Sequence, residues 1–487
     1  MTMLPLSDST LLHDEVLIDG VWVSAQTKYG INDPATSAHL AYLPNMGREE
    51  ALGAVEAASR AFPAWAAKTG LERAQILRRW FELVLQHATD LAQLMTAEQG
   101  RPSAEAIGEV QYAASFIEWF AEEAKRVNGD VVASTWADKR TLVLKQAIGV
   151  CAAITPWNFP LAMVTRKLAP ALAAGCTVVL KPAPQTPLCA LALIDLAQRA
   201  GIPAGVINVV TADAINSVEI GAVWCASPLV RHLSFTGSTA VGKALMRQSA
   251  ATVKKLSLEL GGLAPFIVFD DANIDAAVVG AMQSKFRNAR QTCVCANRFY
   301  VQDQVYSQFL EKFVAQVREL KVGNGRLPGI DIGPLINHDA VQKVQAHIND
   351  ALARGARLIV GGKVHSAGEN FFEPTVLADV PSDALIMREE TFGPVAAVAR
   401  FQDEAEVLQL ANDTEFGLAA YFYSQNHARV WRVSEALQAG IVGVNTGLVS
   451  NETMPFGGVK QSGLGREGSR YGLDEYLEMK YVCMGGM

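Results

Sequence analysis

Between residues 149 and 260 the chain repeats a strand–turn–helix rhythm that few architectures can accommodate. Segments 149–155, 177–181, 206–210 and 229–235 read as strands, and 162–174, 187–200 and 240–249 read as helices. Strands alternating with helices imply a parallel sheet covered on both faces. A second series follows, with strands at 265–269, 298–301, 395–401 and 440–445 and helices at 276–285 and 305–320. Two α/β units meeting near Glu259 would place a cleft at their junction, where pockets usually form.

A chain of 487 residues exceeds one ordinary core, so two or three domains are expected. Residues 16–23 read as a hairpin turned by Asp19-Gly20. Residues 48–128 are helical in pattern, broken at Pro63, Gly70 and Gly100-Arg101-Pro102. Residues 141–145 look like a strand of a separate excursion. The formal charge of −7 gives no general basic field for nucleic acid. Seven scattered cysteines show no zinc spacing and no even disulfide framework. The first residues, Met1 to Asp14, carry acids and no basic-plus-apolar signal pattern. No uncharged run approaches the roughly 18 residues of a membrane span. A cytoplasmic enzyme with no membrane, nucleic-acid or metal partner is the expectation.

The chemistry concentrates in three short runs. Cys293 stands in Arg290-Gln291-Thr292-Cys293-Val294-Cys295, Glu259 in Leu258-Glu259-Leu260-Gly261-Gly262, and Asn158 in Thr155-Pro156-Trp157-Asn158-Phe159-Pro160. Taken singly, a cysteine is most often a buried packing residue and a glutamate a solvated one. Together, a thiolate, an uncharged amide donor and a carboxylate base can attack a carbonyl, stabilise the oxyanion and admit water. The Gln-x-Cys run is expected near the start of a helix, whose amides would lower the thiol pKa.

These motifs resemble the aldehyde dehydrogenase superfamily over nearly the whole chain. The resemblance implies an α/β protein with two doubly wound parallel-sheet domains and a small β oligomerisation element. The Rossmann-like cofactor domain would take residues 1–127 and 148–259, the catalytic domain 260–472, and the oligomerisation element 128–147 and 473–487. Strands of that element pairing across subunits would give a homodimer or homotetramer. The resemblance makes Cys293 the nucleophile, Asn158 the oxyanion donor and Glu259 the base that activates water against a thioester. Glu259 also separates this pattern from relatives that pass the acyl group to coenzyme A. Retention of all three groups speaks against a catalytically silent structural protein of the same fold.

No Gly-x-Gly-x-x-Gly occurs within the 149–260 strand–helix series. The family's variant of the dinucleotide site matches Phe235-Thr236-Gly237-Ser238, where Gly237 lets the backbone approach and Ser238 offers a hydroxyl at a helix start. Glu390 and Phe392 match the segment holding the nicotinamide ribose, and Trp157 and Leu260 would line the same channel. Lys181 ends a strand where the adenosine ribose should lie. Pro184 stands where NAD-specific members commonly carry Glu. With no carboxylate to repel a 2′-phosphate and a lysine to attract it, NADP is favoured, with NAD also usable.

Arg166, Arg287 and Ser450 match the three groups that hold a substrate carboxylate in succinate-semialdehyde dehydrogenases. Two guanidinium groups can clamp that carboxylate while the aldehyde reaches Cys293. Succinate semialdehyde is therefore the expected substrate. Glutarate semialdehyde (5-oxopentanoate) is the alternative, one methylene longer and worth only about 1–3 kcal/mol in a pocket. Two departures stand out. Arg290 occupies the usual Gly of Gly-Gln-x-Cys, where it would store strain if the backbone needs positive φ, lower the thiol pKa, or add to the carboxylate pocket. Cys295, two residues from Cys293, would form a strained, easily reduced disulfide if it paired with the nucleophile.

Overall fold

The computed structural model describes residues 4–486. Val150–Ile154, Thr177–Lys181, Ile207–Val209, Val230–Thr236 and Lys255–Glu259 form one sheet. Their spatial order is 207–209, 177–181, 150–154, 230–236, 255–259, and every pairing among them is parallel. The chain thus builds outward from strand 150–154 to one side, then returns and builds to the other, a doubly wound arrangement. Strands 177–181 and 207–209 are buried at every residue, as expected where helices cover both faces.

Helix Ala162–Ala174 is also buried along its whole length, Arg166 and Lys167 included. Two cations removed from water need internal partners, and Glu467 pairs with both. A late segment returns to this sheet: Gly463–Leu464 pairs antiparallel with the 255–259 strand, Glu259 opposite Gly463.

The second sheet has strands Ala264–Val268, Ala296–Gln302, Thr375–Ala378, Val395–Phe401, Ala419–Tyr423 and Ile441–Val444, all parallel, with Arg357–Val360 antiparallel at one edge. Strands 357–360, 375–378 and 419–423 lie outside the segments read from sequence. The first hydrophobic core takes in residues from Leu11 to Leu260 and resumes at Leu473. The second runs from Ala264 to Phe456. The changeover between Leu260 and Ala264 falls directly after Glu259.

Asp130–Val132, Lys139–Ala147 and Leu477–Gly485 make a three-stranded antiparallel sheet. The pairing anticipated between subunits is therefore satisfied in part inside one chain, Leu477 opposite Ala147 through to Gly485 opposite Lys139. Its outer strands stay exposed, with Val131, Met479 and Tyr481 open to solvent. The hairpin at Val16–Ile18 and Val21–Val23 turns on Asp19 (φ 52) and Gly20 (φ 81), the left-handed pair of a two-residue turn. Among the described residues no helix is long and apolar enough to cross a membrane.

Helix–sheet contact is tightest where helix Ile274–Phe286 crosses strand 419–423. A Cβ added at Gly280 would stand 1.7 Å from the Tyr423 hydroxyl. Gly280→Ala is expected to cost about 1–3 kcal/mol, as overpacked cores do. Exposed Gly108, in helix Ser103–Glu123, has nothing within 4 Å of such a Cβ. Gly108→Ala should stabilise by about 0.8–1 kcal/mol. Unfolding midpoints of the two variants, moving in opposite directions, check both.

Candidate active site

Neighbouring strands 150–154 and 230–236 carry the chain to opposite sides of the first sheet, because right-handed crossovers follow them in opposite directions. A crevice opens beyond their carboxyl ends. Strand 150–154 runs out into Thr155-Pro156-Trp157-Asn158, strand 230–236 into Gly237-Ser238, and strand 255–259 ends on Glu259 itself. The facing wall comes from the second sheet, through the loop carrying Cys293 and the segment carrying Glu390 and Phe392. They enclose one cavity of ≈ 270 Å³. Every site residue expected from sequence lines it except Lys181 and Pro184.

Cys293 lies in a turn between the short Arg287–Arg290 helical turn and strand Ala296–Gln302, not at a helix start. The expected lowering of its pKa by helix-end amides is accordingly absent. Burial pushes the thiol up to about 12, with Glu390 and Glu259 adding to the shift and Arg166 opposing it. The thiol is therefore protonated at neutral pH, and a proton must leave it when a carbonyl is attacked.

Asn158 is buried, and its Nδ2 donates to the Gln291 carbonyl at 2.8 Å, which ties it to the thiol's own loop. Glu259 is 3 % exposed and neither carboxyl oxygen has a hydrogen-bond partner within the protein. Burial first, then the neighbouring Glu467 carboxylate, push Glu259 well above the usual carboxylate range. A carboxyl group without partners, held close to neutral, can take and return a proton.

The far end of the cavity is cationic. The Arg166 guanidinium lies 3.7 Å from the centroid of the Phe456 ring, and its Nε is 3.0 Å from Glu467 Oε2. Glu467 also pairs with Lys167 Nζ at 2.5 Å. Arg166 is thus no free cation; part of its charge is already answered from behind. The Arg287 guanidinium sits 4.9 Å from the Phe159 ring centroid, and Ser450 lines the same end.

On the cofactor side, a Cβ at Gly237 would meet the Phe235 ring at 2.4 Å, so only glycine leaves the approach open. Ser238 caps helix Thr239–Ser249, accepting from Val241 N at 3.4 Å. Glu390 Oε1 accepts from Gly262 N at 3.4 Å, and burial lifts this carboxyl to about 7. Phe392 stands edge-on to Trp157 at 5.6 Å. Lys181 is buried at its strand end, donates to the Pro182 carbonyl at 3.1 Å, and is drawn down by burial to about 8. Gly237, the free helix start beside it and the Glu390 carboxyl fit a dinucleotide laid along this channel.

Sequence reasoning missed several walls. Phe159 stands next to Asn158 inside a motif already singled out, and Phe456 comes six residues after Ser450. Tyr112, Met163 and Lys343 also line the cavity, but they belong to helices with no local chemical signature. Glu467 pairs with Arg166 and Lys167, and its neighbours in sequence give no sign of those ion pairs.

The chain matches the aldehyde dehydrogenase family across residues 22–482. It belongs to that family. It is 60% identical to the NADP(+) succinate-semialdehyde dehydrogenase GabD of Escherichia coli K12, over 99% of both chains. It is 58% identical to a glutarate-semialdehyde dehydrogenase of Pseudomonas aeruginosa, over 99% of this chain and all of that one. It is 60% identical to a 3-sulfolactaldehyde dehydrogenase of Pseudomonas putida, over the full length of both. A solved E. coli NADP-dependent enzyme superposes with a TM-score of 0.97 at 60% identity, covering 99% of this chain and 100% of its own.

Two further residues stand beside the thiol loop. Arg290 takes φ +65, the last of three consecutive left-handed residues after Asn288 (φ 53) and Ala289 (φ 50). A non-glycine residue there stores strain of order 1–2 kcal/mol. Its fully buried guanidinium donates to Asn297 Oδ1, while Nε and Nη1 have no partner. It does not line the cavity, so it adds nothing to the carboxylate pocket, and the Cys293 thiol remains high despite it. Cys295 is a buried free thiol, raised first by burial.

A raised thiol pKa has a measurable sign. Below about pH 12 the thiolate fraction of Cys293 grows roughly tenfold per pH unit. Alkylation of the ligand-free enzyme by iodoacetamide should accelerate steadily between pH 8 and 10 without a plateau. Glu390→Gln removes a charge that raises the thiol pKa and should speed alkylation several-fold at pH 9. A plateau near pH 8, or a slower Glu390→Gln variant, would contradict this electrostatic description.

Proposed function

We propose that this aldehyde dehydrogenase oxidises a short ω-oxo carboxylic acid, succinate semialdehyde, to the dicarboxylate, with NADP as the favoured oxidant. The carrying observation is one cavity lined by Cys293, Asn158 and Glu259 together with Arg166, Arg287 and Ser450. Arg287 and Arg166 hold the substrate carboxylate, and Ser450 adds a hydroxyl contact. That orientation carries the aldehyde carbon to Cys293 Sγ. The thiol releases its proton to solvent as sulfur bonds to carbon, and the carbonyl oxygen becomes an oxyanion. The Asn158 Nδ2 and the Cys293 backbone amide receive that oxyanion.

The dinucleotide, when bound along Gly237, Ser238, Glu390 and Phe392, supplies the hydride acceptor. Trp157 and Leu260 line its channel. Loss of hydride leaves a thioester on Cys293. Once its own proton has passed to solvent, the Glu259 carboxylate takes one from water as the water oxygen adds to the acyl carbon; the C–S bond breaks, and that proton goes to the departing thiolate. The support for NADP is Lys181 at the strand end and Pro184 beside it, together with the NADP(+) specificity in the E. coli relative's name.

The relatives' names support a substrate with an anionic far end, carboxylate in two and sulfonate in the third. Glutarate semialdehyde is the second reading, favoured by the glutarate-semialdehyde relative at nearly equal identity. The exposed three-stranded sheet, with Val131, Met479 and Tyr481 uncovered, supports assembly into a homodimer or homotetramer. A soluble cytoplasmic enzyme is the setting this chemistry fits.

Steady-state rates with succinate and glutarate semialdehydes, each with NAD and NADP, test the assignment. The highest kcat/KM is expected for succinate semialdehyde with NADP. Absence of turnover in all four combinations would end it. Cys293→Ala should abolish reduction, whereas Glu259→Gln should keep a single-turnover burst and lose about 100-fold or more in steady turnover. Arg287→Ala should raise KM for the semialdehyde acid at least about tenfold and leave a neutral aldehyde of equal length nearly unaffected.

A further inference from the structure

Asn288 is 1 % exposed and held at φ +53, directly behind the cavity wall that carries the thiol. Its side chain is saturated. Nδ2 donates to the carbonyls of Asn158 at 3.0 Å and Gln291 at 3.2 Å. Oδ1 accepts from Gln99 Nε2 at 2.9 Å and Arg101 Nε at 3.3 Å. Its backbone N–H donates to Glu105 Oε2 at 3.0 Å, and its carbonyl accepts from Gln291 N at 2.9 Å. One residue therefore joins three stretches far apart in sequence: residues 99–105, the 155–158 loop and the thiol loop.

The joined groups are the ones that place the amide beside the thiol. The Gln291 carbonyl held by Asn288 is the same carbonyl that accepts from Asn158 Nδ2 at 2.8 Å. The Asn158 carbonyl is held a second time by Arg101 Nη2 at 2.5 Å. Arg101 is ion-paired with buried Glu109, whose Oε1 accepts from Leu161 N at 3.0 Å and Ala162 N at 3.2 Å. Asn158 is thus clamped from its carbonyl side by Asn288 and Arg101, and from its following turn by Glu109.

The residue type is demanded by the geometry. Two donors aimed at two carbonyls, with an acceptor facing two cationic or amide donors, is the full inventory of an asparagine amide. The left-handed backbone narrows the choice further, since Asn, Asp and Gly enter that region most readily. Asp would present oxygen to two carbonyl oxygens, and Gly would present nothing.

We propose that Asn288 is the positioning residue of the oxyanion site. It sets where the Asn158 amide stands relative to Cys293 and so acts on the step that forms the tetrahedral oxyanion. The proposal rests on Asn158 being the oxyanion donor.

The test is a double-mutant cycle on the full-length enzyme. It uses Asn288→Asp, Asn158→Ala and the combination, read by the single-turnover burst of reduced nicotinamide with the semialdehyde that turns over fastest. Asn288→Asp should slow the burst about 10- to 100-fold, leave the cofactor KM within about twofold, and lower kcat more than it changes substrate KM. In the Asn158→Ala background the same substitution should slow the burst less than about twofold, because its route of action is gone. A full-size slowing in that background, or no slowing by Asn288→Asp alone, overturns the proposal and leaves Asn158 untouched. A wild-type burst from Asn158→Ala instead removes the oxyanion assignment, and the proposal with it. If Asn288→Asp fails to fold, Asn288→Gly adopts the same φ and carries the same cycle.

Discussion

Removal of water from the seam between the two sheets governs the chemistry of this protein. Burial is the largest influence on Cys293, Glu259, Glu390 and Lys181, and each is driven toward its uncharged form. Uncharged groups tolerate a dry cleft, and they gain or lose charge only when a ligand or a reaction step provides compensation. The ordinary association of a reactive cysteine with a depressed pKa does not hold here. A neutral thiol close to two carboxyl groups is only partly offset by Arg166, so it ionises as a reaction step compensates the charge.

The same desolvation explains why the cationic end is supported from behind. Arg166 and Lys167 occupy a helix with no access to water, and Glu467 answers both. Removing one member of such a set leaves an uncompensated buried charge, which costs more than the set contributes to stability. The arrangement holds Arg166 against Phe456 while keeping its outer face on the cavity. Arg290 lacks such an arrangement. Its guanidinium is buried with two nitrogens unpartnered, on a backbone that favours glycine, and nothing in the structure explains why arginine stands there.

Local patterns carried most of the architecture. Buried parallel strands are short apolar runs, and the segments between them are of helical length and rich in Ala and Leu, so 149–260 was readable as a doubly wound sheet. The edge strand 357–360, with the strand 375–378 beside it, and strand 419–423 were not. Their signal is weak or follows Gly-rich turns, and pairing with distant neighbours is what makes them strands. The motif residues were legible as types, because Trp-Asn-Phe, Glu-Leu-Gly-Gly and Gln-x-Cys each combine a reactive group with a turn. The surroundings of Cys293 were not legible. A helix start was inferred from adjacency in the chain, whereas the observed turn follows three left-handed residues and leads into a strand.

Residue chemistry and the family resemblance thus pointed to a candidate nucleophile, amide donor, carboxyl base and arginine pair on an α/β frame. Charge state and placement came from folding. Tyr112, Lys343 and Glu467 reached the site from separate helices and a late loop, and Asn288 acquired its part through bonds to Gln99, Arg101 and Asn158. The reason is physical: side-chain identity is a local property, while dielectric, hydrogen-bond saturation and ion pairing depend on which distant segments exclude water together.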